Sequence, residues 1–181
     1  MAKKIVVLTG SPRKNGNSNA MAAAFVEAAT GLGHTVVRFD AAELRIGGCR
    51  ACETCYRTGK ACTFDDDFNT IAPKIEEADA VVFASPVYWW GFTAQLKAVI
   101  DKLYSLYRAK EDFSGKTCAL IACAADDDAT VFDGMNFAYD KTVELLGWRT
   151  VGRVAISNVA GAGDIRHTDG ASRAAALAGK F

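Results

Sequence analysis

The sequence predicts an α/β fold, a five-stranded parallel sheet covered by helices on both faces. Three observations carry that expectation. Short β-rich apolar runs alternate with helical stripes from one end to the other. The runs lack polar alternation, as strands buried on both faces do. No internal repeat or low-complexity linker interrupts them, so residues 1–181 read as a single domain.

Ile5 to Leu8 is the first strand. Met21, Phe25, Ala28 and Leu32 recur at helical spacing, and Gly31 and Gly33 close that helix. His34 to Phe39 reads as the second strand. Asp65 to Asp67 start a helix through Ile71, Ile75 and Ala78. Ala80 to Ala84 is the third strand, ending at Ser85-Pro86. Leu96, Val99, Ile100, Leu103 and Leu106 form a strong helical stripe. Thr117 to Ala124 is the fourth strand, with a helix from Val131 through Met135, Ala138 and Val143 to Leu146. Val151 to Ile156 is the fifth strand, and Ala171 to Ala178 the terminal helix. Right-handed crossovers between such strands leave helices on both faces.

Lys plus Arg and Asp plus Glu each total 21, for a net charge of zero. That balance provides no basic field for nucleic acid or an anionic membrane. The apolar run Ile5–Leu8 is too short for a signal-peptide core and ends in Thr9-Gly10-Ser11-Pro12, and nothing reaches the length of a membrane span. The expected location is the cytoplasm. Six cysteines in a reducing compartment read as thiols or metal ligands rather than disulfides.

The loop from Thr9 to Asn19 joins the first strand to the first helix, at the carboxyl edge where open α/β sheets bind ligands. Its chemistry suits a phosphate. Ser11, Ser18 and the asparagines offer donors, Arg13 a charged fork, and the helix its free N–H groups. Gly10 and Gly16 let the backbone turn tightly. This loop contains neither Gly-Lys-Ser/Thr nor G-x-G-x-x-G, which excludes a nucleoside-triphosphate P-loop and the dinucleotide fingerprint at this position. The plainer alternative is a hydrophilic turn with Asn17 or Ser18 as helix cap.

Ser85-Pro86-Val87-Tyr88-Trp89-Trp90-Gly91-Phe92 follows the third strand at the same edge. In a sheet of order 2-1-3-4-5 the switch point falls between the first and third strands. Four aromatics in five residues would be a costly exposed patch without a ligand. A planar isoalloxazine would use them, with Gly91 and backbone amides at its polar edge. The competing placement for Trp89 or Trp90 is the core or a subunit interface.

With both loops in hand, the chain resembles the NADPH-dependent FMN reductase family of the flavodoxin-like superfamily. The matching residues are Gly10-Ser11-Pro12-Arg13 with Gly16, Ser18 and Asn19, and Ala78-Asp79 leading to Ser85-Pro86-Val87-Tyr88. Leu96-Lys97 with Ile100-Asp101-Lys102, and Gly147-Trp148 through Gly163-Asp164-Ile165, extend the likeness. The resemblance implies a flavodoxin-like three-layer sandwich. It implies FMN with its phosphate at Ser11, Arg13, Asn17, Ser18 and Asn19, and its ring against Pro86, Val87, Tyr88, Trp89, Trp90 and Gly91. It also implies a homodimer or homotetramer, with flavin sites near subunit contacts. One departure stands out. Ala124-Ala125-Asp126-Asp127-Asp128 follows the fourth strand where many relatives are glycine-rich, so the third side of the pocket differs.

The long irregular stretch Arg45 to Phe64 holds Cys49, Cys52, Cys55 and Cys62, separated by two, two and six residues. Closely spaced thiolates can hold a [4Fe–4S] cluster, and this pattern is similar to that of the iron–sulfur flavoproteins. Tetrahedral zinc and free thiols are the other readings. Arg50 and Arg57 would lower nearby thiol pKa values. Cys118 and Cys123, in the fourth strand, read as small buried hydrophobes.

His34 and His167 form no catalytic constellation, and both aspartate runs, 65–67 and 126–128, read as helix caps. No side chain is expected to act as nucleophile or base, so no catalytic residue is named. The expected function is an oxidoreductase passing electrons from NAD(P)H through FMN to a small acceptor such as a quinone or free flavin. One shared pocket would give ping-pong kinetics. The alternative is an iron–sulfur flavoprotein that carries electrons between protein partners.

Overall fold

The computed structural model describes residues 1–109 and 112–181. β1 (Lys4–Thr9), β2 (Thr35–Asp40), β3 (Ala80–Pro86), β4 (Thr117–Cys123) and β5 (Arg149–Ile156) pair in parallel in the order β2-β1-β3-β4-β5. Among the described residues, five α-helices connect or follow them: α1 (Asn17–Gly31), α2 (Phe68–Glu77), α3 (Ala94–Ala109), α4 (Asp133–Leu145) and α5 (Gly170–Leu177).

Successive side chains of a strand point to opposite faces, so the unbroken apolar run of β1 feeds two cores. Ile5 and Val7 pack with Met21 and Phe25 of α1 and with Ala174 and Leu177 of α5. Val6 and Leu8 pack with Ile71 of α2, Leu96 and Val99 of α3, and Met135 of α4. Each such fully buried side chain contributes about 1.5–3 kcal/mol. The result is the flavodoxin-like three-layer sandwich, with α1 and α5 on one face and α2, α3 and α4 on the other.

Local chemistry sets the element ends. α1 stops where Gly33 adopts φ 86°, with the Gly33 N–H bonded to Thr30 O and the His34 N–H to Ala29 O. This pair of bonds caps the helix and delays β2 to Thr35. The stripe from Val131 to Leu146 is not one continuous helix. A 3₁₀ turn at Ala129–Phe132 comes first, because Asp128 Oδ1 accepts the Thr130 N–H at 2.9 Å, and α4 begins at Asp133. Among the described residues, no helix is long and apolar enough to cross a membrane.

The carboxyl ends of β1, β3 and β4 are tied together at one edge. The Gly10 N–H donates to Ala84 O and the Val87 N–H to Cys123 O, both at 2.8 Å. That shared register brings the loops after these three strands to a single cleft.

Candidate functional site

The loop after β1 is held by its own polar groups. Ser11 Oγ accepts the Arg13 N–H and donates to the Arg13 carbonyl, each at 3.2 Å. Asn19 Nδ2 donates to Arg13 O at 3.0 Å and to Lys14 O at 3.4 Å. A Cβ at Gly16 would lie 2.6 Å from Ser11 Oγ, and one at Gly10 2.5 Å from Thr93 Oγ1, so the close approaches require glycine. α1 starts at Asn17 behind an extended Gly16, with no side-chain cap. Neither Asn17 nor Ser18 caps the helix, and the first-turn N–H groups remain available to a ligand.

These residues form one wall of a cleft to which Ser11, Arg13, Gly16, Asn17 and Ser18 contribute. Pro86, Val87 and Tyr88 form the second wall. The third side is made by Cys123, Ala124 and Ala125 after β4, with Val159 and Ala160 beyond β5. Ser18 is 1% exposed, and among the described residues its hydroxyl has no hydrogen-bond partner other than the Cys123 thiol. A buried hydroxyl with only a weak thiol neighbour, at a helix N-terminus in a cleft that also holds an arginine, suits a phosphate. Burial pushes the Cys123 thiol up to about 11, opposed only by hydrogen bonding to Ser18, which makes it a neutral part of this lining.

Asn17 does something its sequence position did not reveal. Its Nδ2 donates to Val159 O at 3.1 Å and Gly161 O at 2.8 Å, while its Oδ1 accepts the N–H groups of Gly163 at 2.9 Å and Ile165 at 3.3 Å. The amide is thus spent on clamping the loop after β5, leaving the backbone N–H for a ligand. Asn19 lies outside the cleft and lines an adjoining hollow with Lys14, Arg38 and Asp40.

The aromatic run divides. Tyr88 and Gly91 exchange N–H to C=O bonds of 3.0 Å in each direction. Trp89 and Trp90 occupy the two central positions of the turn at φ 48° and 57°, the signs of a type I′ hairpin turn. Trp89 is 90% exposed and Trp90 55%, so neither is a core residue. Tyr88 faces the cleft, whereas Trp89, Trp90 and Gly91 are not part of its lining. The Gly91 N–H expected at a ring edge is engaged by Tyr88.

Asp126 to Asp128 cap their own turn, with the Asp128 N–H on Asp126 Oδ1 at 3.0 Å. The backbone there supports the third wall: the Asn158 N–H bonds Asp126 O at 2.8 Å and the Val159 N–H bonds Ala124 O at 3.0 Å. Cys123, Val159, Ala160 and the bracing Thr93 escaped sequence reasoning. Only Thr93, a cap-type residue just before an apolar stripe, carried a local signal. His34 Nδ1 accepts the Lys3 N–H at 3.0 Å, a structural role.

The cysteine loop is docked on α2 and α3. Asp67 Oδ2 accepts the Arg45 N–H at 2.7 Å, and Asn69 Oδ1 the Cys62 N–H at 2.8 Å. Tyr104 donates to the Glu53 carboxylate at 3.0 Å, and Tyr56 hydrogen-bonds Glu76. Asp66 caps α2 through the Phe68 N–H, as expected, but also takes the Gly47 N–H at 3.0 Å. Cys49 and Cys52 are exposed, Cys55 and Cys62 half-buried. All four line one hollow walled by Lys102, Tyr104 and Ser105 of α3.

Thr54 Oγ1 lies 3.0 Å from Cys52 Sγ and lowers the pKa of that thiol, while burial and then the neighbouring thiols raise Cys55. The lowering comes from Thr54, not from the arginines; the Arg50 guanidinium sits 4.6 Å over the Phe64 ring instead. Among the described residues, no three His, Cys, Asp or Glu side chains are grouped closely enough for a single metal ion.

Known proteins are similar to this chain in sequence or in fold. An iron–sulfur flavoprotein of Methanosarcina thermophila is 33% identical over 143 residues, covering 79% of this chain and 70% of that protein. One from Archaeoglobus fulgidus is 38% identical over 100 residues, and there the match spans 55% of this chain but only 45% of the relative. In fold, the chain superposes on an NAD(P)H:quinone oxidoreductase from Methanothermobacter marburgensis with a TM-score of 0.77 at 16% identity, covering 98% and 95% of the two chains. Residues 3–138 match the NADPH-dependent FMN reductase family, and the chain belongs to that family.

Proposed function

We propose that this protein is an FMN-dependent oxidoreductase of the iron–sulfur flavoprotein type, with FMN in the cleft and a [4Fe–4S] cluster on Cys49, Cys52, Cys55 and Cys62. The observation that carries it is the pairing of two sites in one chain: a polar cradle around the buried Ser18 hydroxyl, and four thiols lining one hollow. The names of these two relatives support the same reading.

In this reading Ser11, Arg13, Ser18 and the first-turn amides of Asn17, Ser18 and Asn19 hold the phosphate. Pro86, Val87 and Tyr88 flank the ring, with Trp89, Trp90 and Gly91 at the outer rim. Cys123, Ala124 and Val159 keep water from the inner side. Bound there, FMN supplies one- and two-electron transfer and the cluster one-electron transfer. No side chain is assigned an acid, base or nucleophilic role.

A cluster is preferred to zinc because the similar relatives are named iron–sulfur flavoproteins, while four thiolates would suit either centre. The left-handed residues Ala51 and Glu53 bend the chain between the cysteines.

A second reading concerns the partners. The open cleft and the family match favour NAD(P)H as donor and a small acceptor, such as a quinone or free flavin, over a carrier between proteins. We place the protein in the cytoplasm as a homodimer or homotetramer, since exposed Trp89, Trp90 and Phe137 suit a subunit contact.

The test is anaerobic purification followed by flavin and iron assays. About one FMN and about four irons per chain are expected; flavin without iron removes the cluster, and neither removes the proposal. Steady NAD(P)H oxidation with a quinone, following parallel double-reciprocal lines, separates the reductase from the carrier.

A further inference from the structure

Lys102 lies on the inward side of α3 and is 4% exposed, among Val99, Leu103 and Leu106. Its ammonium is paired with the Asp66 carboxylate, whose side chain is 14% exposed, and stands 5.7 Å from the Phe68 ring centre. Lys102 is also a wall of the hollow that the four loop thiols line, whereas Asp66 is not. Burying both charges is costly, and an apolar pair of similar volume at such a place is often neutral or stabilising. Packing alone therefore does not explain a lysine here.

The other charged groups of that hollow belong to the loop itself. Arg50 lies over Phe64, and Glu53 is held by Tyr104. Lys102 differs from both, because a helix fixes it and protein shields it from screening by solvent. A cluster on four thiolates gains one negative charge when it takes up one electron. A fixed positive charge in its wall favours the reduced state, and a carboxylate behind that charge offsets part of the effect.

We infer that Lys102 sets the reduction potential of the cluster held by Cys49, Cys52, Cys55 and Cys62, with Asp66 holding it in place and moderating its field. The inference rests on the cluster reading above and goes beyond it, since the ligands alone do not say which potential the site adopts. Lys102 is a positioning residue and touches no reacting atom.

The test is a one-electron potentiometric titration of anaerobically purified protein, followed by the cluster's paramagnetic signal and paired with iron assays. Lys102→Met is expected to shift the midpoint to more negative potential with iron retained, and Lys102→Arg to stay close to the parent. Asp66→Asn keeps an oxygen for the Gly47 N–H and is expected to shift the midpoint the opposite way, to more positive potential. A purely structural ion pair would not produce shifts of opposite sign. An unchanged midpoint in Lys102→Met with full iron overturns the inference, as do shifts of the same sign in the two variants. If Lys102→Met loses iron, Asp66→Asn decides alone: a positive shift supports the inference, and no shift or a negative one overturns it. A parent protein without iron removes the cluster reading itself, a result distinct from all of these.

Discussion

The Thr93 hydroxyl donates to the Gly10 carbonyl at 2.7 Å, with Thr93 fully buried. The same oxygen accepts the Leu96 N–H at 3.4 Å, so one side chain caps α3 and pins the loop after β1 to the loop after β3. The two walls of the cleft are thereby one mechanical unit. Replacing Thr93 by Val keeps the volume but leaves the Gly10 carbonyl unpaired and α3 uncapped. Urea denaturation should register a loss of about 2 kcal/mol. FMN affinity should fall with it, while Thr93→Ser keeps both close to the parent.

Ser18 should behave in opposite ways with and without ligand. Its hydroxyl is buried with only the weak Cys123 thiol for company, so Ser18→Ala removes a poorly compensated desolvation cost and should raise the stability of the apoprotein by about 1 kcal/mol. FMN affinity should fall about 10-fold or more, because a charge-assisted hydrogen bond to phosphate is lost. Equal affinity in parent and variant would mean that the phosphate does not reach Ser18.

The Trp89-Trp90 turn predicts its own relief. Two large residues held at φ 48° and 57° cost roughly 1 kcal/mol each or more. The double change Trp89→Asn with Trp90→Gly suits a type I′ turn and should stabilise the apoprotein by about 2 kcal/mol in chemical denaturation. No gain would indicate that the indoles contribute contacts that offset the strain.

Cys123 sets an alkaline limit. Its folded-state pKa is raised from 9.0 to about 11 by burial, so the folded protein retains a proton that the unfolded chain releases first. The stability this provides is complete below about pH 9 and is lost as pH rises through about 11, roughly 2–3 kcal/mol in all. The stability difference between the parent and Cys123→Ala, followed by urea midpoint from pH 8 to 11, should shift in favour of the variant over that window.

Much of the architecture could be read in advance because β1, β3 and β4 are buried on both faces, and runs such as Ile5–Leu8 and Ala80–Ala84 leave no polar alternation to mislead. The cleft wall after β1 was legible for a similar reason: its serines, arginine and glycines lie close together in sequence. The remaining features depend on distant partners. Asn17 looked like a phosphate donor, and only folding brings Val159 to Ile165 against its amide. Trp89 and Trp90 read as a stacking surface, but the Tyr88–Gly91 bridge turns them outward. The burial of Lys102 carried no local signal, because it depends on Asp66, far away in sequence. The four cysteines were visible as a set, yet the hollow they share is completed by α3.

A fluorescence titration of flavin-free protein with FMN and, separately, riboflavin examines the anion cradle most directly. One saturable FMN site per chain is predicted, with riboflavin bound at least about 10-fold more weakly because it lacks the phosphate proposed to sit on Ser11, Arg13 and Ser18. Equal binding of the two, or no saturation with FMN, would contradict it.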